Sequence, residues 1–231
     1  MIVADAGDVL SGLPALPKRS STAEYAADEL RRQIADGKLP PGTRLREESV
    51  SEAFGISRNT VREAFRLLAH EQLVEHELHR GVHVRTLSAD DVRDLYATRR
   101  LVQPLGVDTA IADPERLAAL RERVDEAVAA VAREDWHTVG TADIDFHRVL
   151  VAGCRSTHII AMFERVLAEL RLAFLQLPDR RDLHLPYVER NRRIADLLAS
   201  GDRDGALAEL RDYLDTAERH ILGVLTAESE G

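Results

Sequence analysis

Cysteine is almost missing from this chain: Cys154 stands alone among 231 residues. A single thiol cannot close an intramolecular disulfide, which excludes a disulfide scaffold and fits a reducing compartment. No apolar run approaches the roughly 18 residues that a membrane-spanning helix needs. The first 19 residues carry Asp5 and Asp8 where a signal peptide would need a basic start and a clean apolar stretch, so the chain is expected to stay in the cytoplasm, away from membranes. Lysine is scarce as well, with only Lys18 and Lys38 among 31 basic residues. Together with abundant Ala, Leu, Asp and Arg, this reads as the codon bias of a GC-rich genome and carries no mechanism. No nucleophile elbow, phosphate-binding glycine loop or complete metal-ligand set is present, which leaves an enzymatic reading only the pair Asp143 and His147.

What is present is a folded composition, 45% hydrophobic and 31% charged, in a length that suits two domains. The formal net charge of −9 argues against wholesale coating of nucleic acid, but the charge is unevenly spread. Residues 18–85 hold 12 basic and 11 acidic side chains, whereas residues 87–231 hold 19 basic and 27 acidic ones. The N-terminal third is the only part that an anionic polymer would not repel.

Residues 1–19 show no periodicity and read as a mobile arm. A helix capped by Ser21 or Thr22 is expected to run to about Asp36, with Tyr25, Ala26, Leu30 and Ile34 at helical spacing. Leu39-Pro40-Pro41-Gly42 forms a turn. A short helix fits Glu47 to Phe54, Gly55 breaks it, and Ser57 caps a third helix that runs to about Glu71. Two strand-like runs follow, residues 73–77 and 82–85, around a wing at Leu78-His79-Arg80-Gly81. From Ser88 onward the pattern is wholly helical, with helices expected at 88–112, 114–133, 135–152, 156–177, 186–200 and 202–226. The fold class is therefore mainly α: a winged helix-turn-helix at 20–86 and a six-helix bundle at 88–231, without a long linker.

The third helix has two faces. Val61, Ala64, Phe65 and Leu68 form a core stripe, while Arg58, Arg62 and Arg66 align on another side. A charge stripe alone is usually a solvated face. Here it opens with Ser57-Arg58-Asn59-Thr60-Val61-Arg62, after a short helix and tight turn, and Arg and Asn are the groups that read base edges in a major groove. The wing residues His79, Arg80 and Gly81 are placed to reach a neighbouring groove or backbone.

The segment Ile34-Ala35-Asp36-Gly37-Lys38-Leu39-Pro40-Pro41-Gly42-Thr43-Arg44-Leu45-Arg46-Glu47-Glu48 resembles the opening signature of the GntR family of bacterial regulators. Ser57-Arg58-Asn59-Thr60-Val61-Arg62-Glu63-Ala64 is similar to its recognition helix, with Thr60 in place of a common Pro. Gln72 replaces a Gly that normally ends that helix, so a strained or reshaped turn is expected there. The resemblance covers residues 22–85. It implies that Arg58 and Arg62 contact bases or nearby phosphates, supported by Arg46, and that a homodimer reads an inverted repeat in double-stranded DNA. It also implies that the bundle supplies most of the dimer contact.

Over residues 88–220 the bundle resembles the FCD-type effector domain of the FadR-like subgroup, nearest its shorter VanR-like branch. The resemblance is carried by Asp94 to Leu105, by Asp143-Ile144-Asp145-Phe146-His147-Arg148-Val149-Leu150 and by the Gly201-Asp202…Ala206 segment. It implies a small-molecule effector. Many members of the subgroup hold a divalent metal through one Asp and three His. Asp143 and His147 occupy the first two positions, on one helix face, but the other two are Asn191 and Tyr213. With two of the four ligands changed, loss of the metal is the expected outcome, and Asn191 is left as an oxygen donor beside Asp143 and His147 for a harder cation. The alternative is a hydrogen-bonded Asp143–His147 pair, with Tyr213 filling the space or bonding a ligand. Arg99 takes a place that implies a pocket-facing guanidinium suited to an organic acid, or else a salt bridge to Asp94 or Asp108. Arg148 and Arg171 are further candidates. Cys154 and Trp136 read as packing residues.

Overall fold

The computed structural model describes residues 21–77 and 80–229, with side chains as far as 226. The arm expected at residues 1–19 and the wing residue His79 lie outside the described residues.

Helix α1 (Thr22–Ala35) opens on a reciprocal cap: the Ser21 hydroxyl accepts from the Glu24 N–H, and the Glu24 carboxylate accepts from the Ser21 N–H. Its buried side is Ala23, Ala26, Ala27, Leu30 and Ile34. Tyr25, expected on that side, is exposed, and Ala27 takes its place. Strand β1 (Arg44–Leu45) leads into α2 (Glu47–Phe54), and Gly55 in the left-handed region turns the chain toward α3 (Arg58–His70). Strands β2 (Val74–Glu77) and β3 (Gly81–Val84) form the wing hairpin. The sheet order is β1-β3-β2, all antiparallel, with Leu45 opposite Val82 and Glu77 opposite Gly81. The two-residue β1 was not expected, being too short to show any alternation. Its Leu45 is buried with Phe65, Leu68, Val74, Val82 and Val84 under the helices.

Gln72 sits where α3 gives way to β2 and has φ of 60°, the left-handed conformation that favours glycine. The expected strain at this turn is present. Its side chain partly compensates, donating to the Ala69 carbonyl and accepting from Arg85 at 3.1 Å. Gln72→Gly should therefore raise stability by about 0.5–1 kcal/mol, while Gln72→Ala, which keeps the strain and drops the contacts, should lower it. Chemical unfolding of both variants checks the pair. A Gly variant no more stable than the Ala variant would show that the backbone is not strained.

The second half is a bundle of α4 (Ala89–Ile111), α5 (Pro114–Val131), α6 (Trp136–Ala152), α7 (Thr157–Gln176), α8 (Arg180–Ala199) and α9 (Arg203–Ser229). Ser88, Asp113, Asp135, Ser156 and Asp179 each cap the helix that follows. One boundary departs from expectation: α8 begins at Arg180, not at Pro186, which lies inside the helix. Proline removes one N–H, whose acceptor would have been the carbonyl of Asp182 one turn earlier. Asp182 lies on the exposed side of the helix, where a freed carbonyl costs least, while Leu183 and His184 gain burial in the added turn.

Gly106 marks where α4 and α6 touch. A Cβ there would lie 2.2 Å from the backbone oxygen of Leu150, an atom that cannot rotate away. Helix propensity alone favours Ala over Gly by about 1 kcal/mol. The collision should outweigh it, so Gly106→Ala is expected to lose about 1–3 kcal/mol of stability. A thermal unfolding midpoint at or above that of the natural chain would contradict this packing.

Helix α7 also ties the halves together. Arg85 bridges to Asp91 at 2.5 Å and to Glu169 at 2.8 Å. The Gln176 amide accepts from the Leu87 N–H and donates to the Leu87 carbonyl. Arg171 donates to the carbonyl of Ala35, at the end of α1, at 2.9 Å. The connection at residues 85–88 is thus pinned along α7.

Candidate DNA interface and polar core of the bundle

Helix α3 is held at its start by Ser57, whose hydroxyl accepts from the Thr60 N–H and also meets the Thr60 hydroxyl at 2.8 Å. A proline at position 60 would lack that N–H, so Thr60 adds a cap bond to the fold. With Val61, Ala64, Phe65 and Leu68 buried, Arg58, Asn59, Arg62 and Arg66 are left facing solvent. Each arginine is held by a carboxylate of its own domain: Arg58 by Glu48, Arg62 by Glu47 at 2.9 Å, and Arg66 by Glu63. The hydrogen bond from Arg62 keeps the Glu47 carboxyl below its ordinary range. These exposed pairs pre-extend the guanidiniums and contribute little stability, so another anion can exchange for the glutamates.

Arg46 is exposed at the start of α2, and Arg80 and Gly81 stand at the wing. Arg44, overlooked in the sequence, belongs with them. A Cβ on Gly81 would lie 3.8 Å from its guanidinium. The signal was available: Leu45 is buried between Arg44 and Arg46, so period-2 alternation turns both arginines outward.

The bundle interior gathers most of the remaining candidates. Asp143, 6% exposed, accepts on one oxygen from the Tyr213 hydroxyl and the Asn191 amide, both at 2.7 Å. The ring of His147 lies 4.9 Å from that of Tyr213, with neither ring nitrogen hydrogen-bonded. Arg99, 1% exposed, lies 4.7 Å over the Tyr96 ring and leaves Nε and Nη2 unpartnered. The salt-bridge alternative for Arg99 is not what the structure has, since Asp108 pairs instead with Arg203. Gln103 is fully buried with both side-chain ends unpartnered, and so is the Asn191 oxygen. Gln103 follows Arg99 at i+4 on the inner face of α4, a spacing visible in the sequence but not used. The free space beside Tyr96, Asp143, Tyr187 and Tyr213 is only about 10 Å³, room for roughly one water.

A divalent metal does not fit these residues. Among the described residues no group of three or more His, Cys, Asp or Glu converges. Asn191 turns its amide nitrogen toward Asp143, and Tyr213 occupies the same carboxylate oxygen as a neutral phenol. Burial raises the Tyr213 hydroxyl well above its ordinary range, which keeps it a neutral hydrogen-bond donor to Asp143. The set Asp143, His147 and Asn191 thus offers one carboxylate, one imidazole and one amide whose oxygen is directed elsewhere. Burial raises the Asp143 carboxyl, opposed by Tyr213, the charge of Arg99 and Asn191. Burial, helped by Arg99, lowers His147 far below its usual value, so its ring is neutral.

His184 on α8 is buried against Phe174, and burial with the charges of Arg171 and Arg180 lowers it to about 3. An unfolded histidine titrates near 6.5. Between those values the unfolded chain binds a proton that the folded chain refuses. The stabilisation is full above about pH 6.5 and declines as pH falls, by up to about 1.4 kcal/mol per pH unit for this group. Asp143 acts in the opposite sense, so the informative comparison is with His184→Gln. Urea unfolding at pH 7 and pH 5 should show a smaller loss in the variant. Equal losses would mean that His184 does not carry the acid sensitivity.

A winged helix-turn-helix with an exposed basic helix face, joined to a helical bundle with a polar core, is the two-domain architecture of this chain. Residues 22–84 match the bacterial regulatory proteins of the gntR family and residues 94–216 match the FCD domain, so the chain belongs to the GntR family. A GntR-type structure from Rhodococcus sp. RHA1, described as a putative transcriptional regulator, is 42% identical with a TM-score of 0.83, covering 87% of this chain and 97% of that one. A probable D-xylose utilization operon transcriptional repressor of Paenarthrobacter nicotinovorans is 29% identical over 222 residues, 92% of each chain. The match to the HTH-type regulator YdhC of Bacillus subtilis, 31% identical, takes in 63% of that protein's length. The match to BphR of Paraburkholderia xenovorans takes in 59%. No helix among the described residues is long and apolar enough to cross a membrane.

Proposed function

We propose that this chain is a cytoplasmic, sequence-specific transcriptional repressor, controlled by a small organic acid bound in its C-terminal domain. The observation that carries the DNA half is the exposed row Arg58, Asn59, Arg62 and Arg66 on a helix whose opposite face is core. Ser57 and Thr60 fix the start of that helix, and Arg46, Arg80 and Gly81 supply backbone contacts beside it; His79 is proposed with them from its place in the sequence alone. Residues 20–86 act as the DNA-binding domain and residues 88–231 as the sensory and dimerising domain.

A homodimer on an inverted repeat follows from the size of the reading head, which is too small to be selective alone. Leu101 and Leu105, 76% and 48% exposed one turn apart on α4, support a bundle-mediated dimer contact. The effector reading rests on the unpartnered polar atoms of Arg99, Gln103, His147 and Asn191, since buried groups without partners are costly. A carboxylate would satisfy Arg99 in two-pronged fashion. Space for roughly one water means that an effector enters only as the helices around it part. Binding one helix arrangement better than the other is what a sensor requires. No turnover is proposed.

The test is fluorescence anisotropy with genomic fragments across a salt series. A dimer with ~6–10 phosphate contacts should lose about 10³–10⁵ in affinity between 50 and 200 mM salt. Affinity that ignores salt would sink the DNA-binding reading.

A further inference from the structure

Space for a small molecule lies between the two domains rather than around the polar core of the bundle. A cavity of about 700 Å³ separates the ends of α1 and α3 from α6 and α7, against about 10 Å³ beside Asp143 and Tyr213 in the bundle interior; a second space of about 630 Å³ lies around Asp113, Arg116 and Arg155 at the α4–α5 turn. That volume is in the range of small-molecule sites, ~300–1,000 Å³. Ile34 and Leu73 line it from the winged helix, and Ile144, Leu167 and Leu172 from the bundle, so much of its wall is apolar.

Four guanidiniums face this space, and they are not equivalent. Arg31 holds Glu71 through two bonds of 2.7 Å, and Arg148 is met by Asp145 and Glu164. Arg165 and Arg171 form no ion pair among the described residues. Arg165 reaches only the His70 ring, at 3.3 Å. Arg171, 9% exposed, has the Ala35 carbonyl at 2.9 Å and His137 at 2.6 Å, both neutral acceptors. The Asp36 carboxylate on the cavity wall acts on Arg171 through its charge but forms no ion pair with it, so burial of this cation is only partly compensated and an anion brought to it is favoured.

We propose that this inter-domain cavity is a second ligand site, specific for an amphipathic carboxylate. Its apolar body would lie against Ile144, Ala161 and Ala168, and its charge in the field of Arg165 and Arg171. Both guanidiniums also tie the domains together: His70 is the last residue of the recognition helix and Ala35 the last of α1. An anion that draws on them acts directly on the seat of the DNA-reading domain. The site is separate from the bundle interior, so it goes beyond the effector reading above and stands or falls apart from it.

The test uses the full chain with the straight-chain carboxylates from butanoate to decanoate, octanoate as lead probe and octanamide as its uncharged counterpart. Calorimetry and thermal shift should show octanoate binding and stabilisation, with octanamide at least about tenfold weaker. Arg165→Gln removes an exposed charge without touching the core, and Ala161→Trp fills the cavity from an exposed wall position. Each should weaken octanoate at least about tenfold, while Arg99→Gln leaves it unchanged. The proposal is overturned if octanamide binds as well as octanoate, or if no carboxylate of the series binds. It is equally overturned if Arg99→Gln abolishes binding while Arg165→Gln and Ala161→Trp do not.

Discussion

Replacing both Arg58 and Arg62 with alanine should weaken specific DNA binding by about 2–6 kcal/mol, roughly 30-fold to more than 10⁴-fold. The two side chains lie one turn apart on the solvent side of α3, and neither contributes to the core of the winged helix. Folding should therefore be preserved, so lost binding reports on the interface itself. Each arginine is already extended by a glutamate, Glu48 for Arg58 and Glu47 for Arg62. DNA must displace those carboxylates, which also repel phosphate. Glu47→Gln should then hold or improve affinity while the arginine variants lose it. A double-alanine variant that binds an operator like the natural chain would dismiss α3 as the reading helix.

Arg99→Gln should reduce the affinity of a bundle-bound organic acid by about 2–5 kcal/mol, the usual consequence of truncating one partner of a buried charge pair. Arg99 is buried, with Nε and Nη2 free of hydrogen bonds, beside Gln103 and the neutral ring of His147. Those donors have one obvious use, a planar anion. A thermal-shift screen of organic acids on the natural chain supplies the ligands. Acids that stabilise it through the bundle should lose most of their effect on Arg99→Gln while Arg165→Gln keeps it. Full retention in Arg99→Gln would remove Arg99 from the effector site.

The winged helix was legible in the sequence because local rules decide it. Ser57 caps α3, Gly55 breaks α2, and the stripe from Val61 to Leu68 fixes which arginines face outward. The helical bundle was legible for the same reason, and Asp143, His147, Asn191 and Tyr213 do converge. Pro186 misled because proline is read as a stop, and only the exposure of Asp182 and the burial of Leu183 show that a helix survives it. The domain seam was not legible at all. Arg171 and Ala35 are 136 residues apart, Arg165 and His70 are 95, and no periodicity links positions so distant.

Whether the winged helix selects a DNA sequence is decided by selection from the genome itself. Purified protein is mixed with sheared genomic DNA of its source, and the retained fragments are sequenced. A short inverted repeat should be enriched, and the enrichment should vanish when Arg58 and Arg62 are alanine. Retained DNA with no common sequence, or the same repeat from the double variant, would contradict selection by α3.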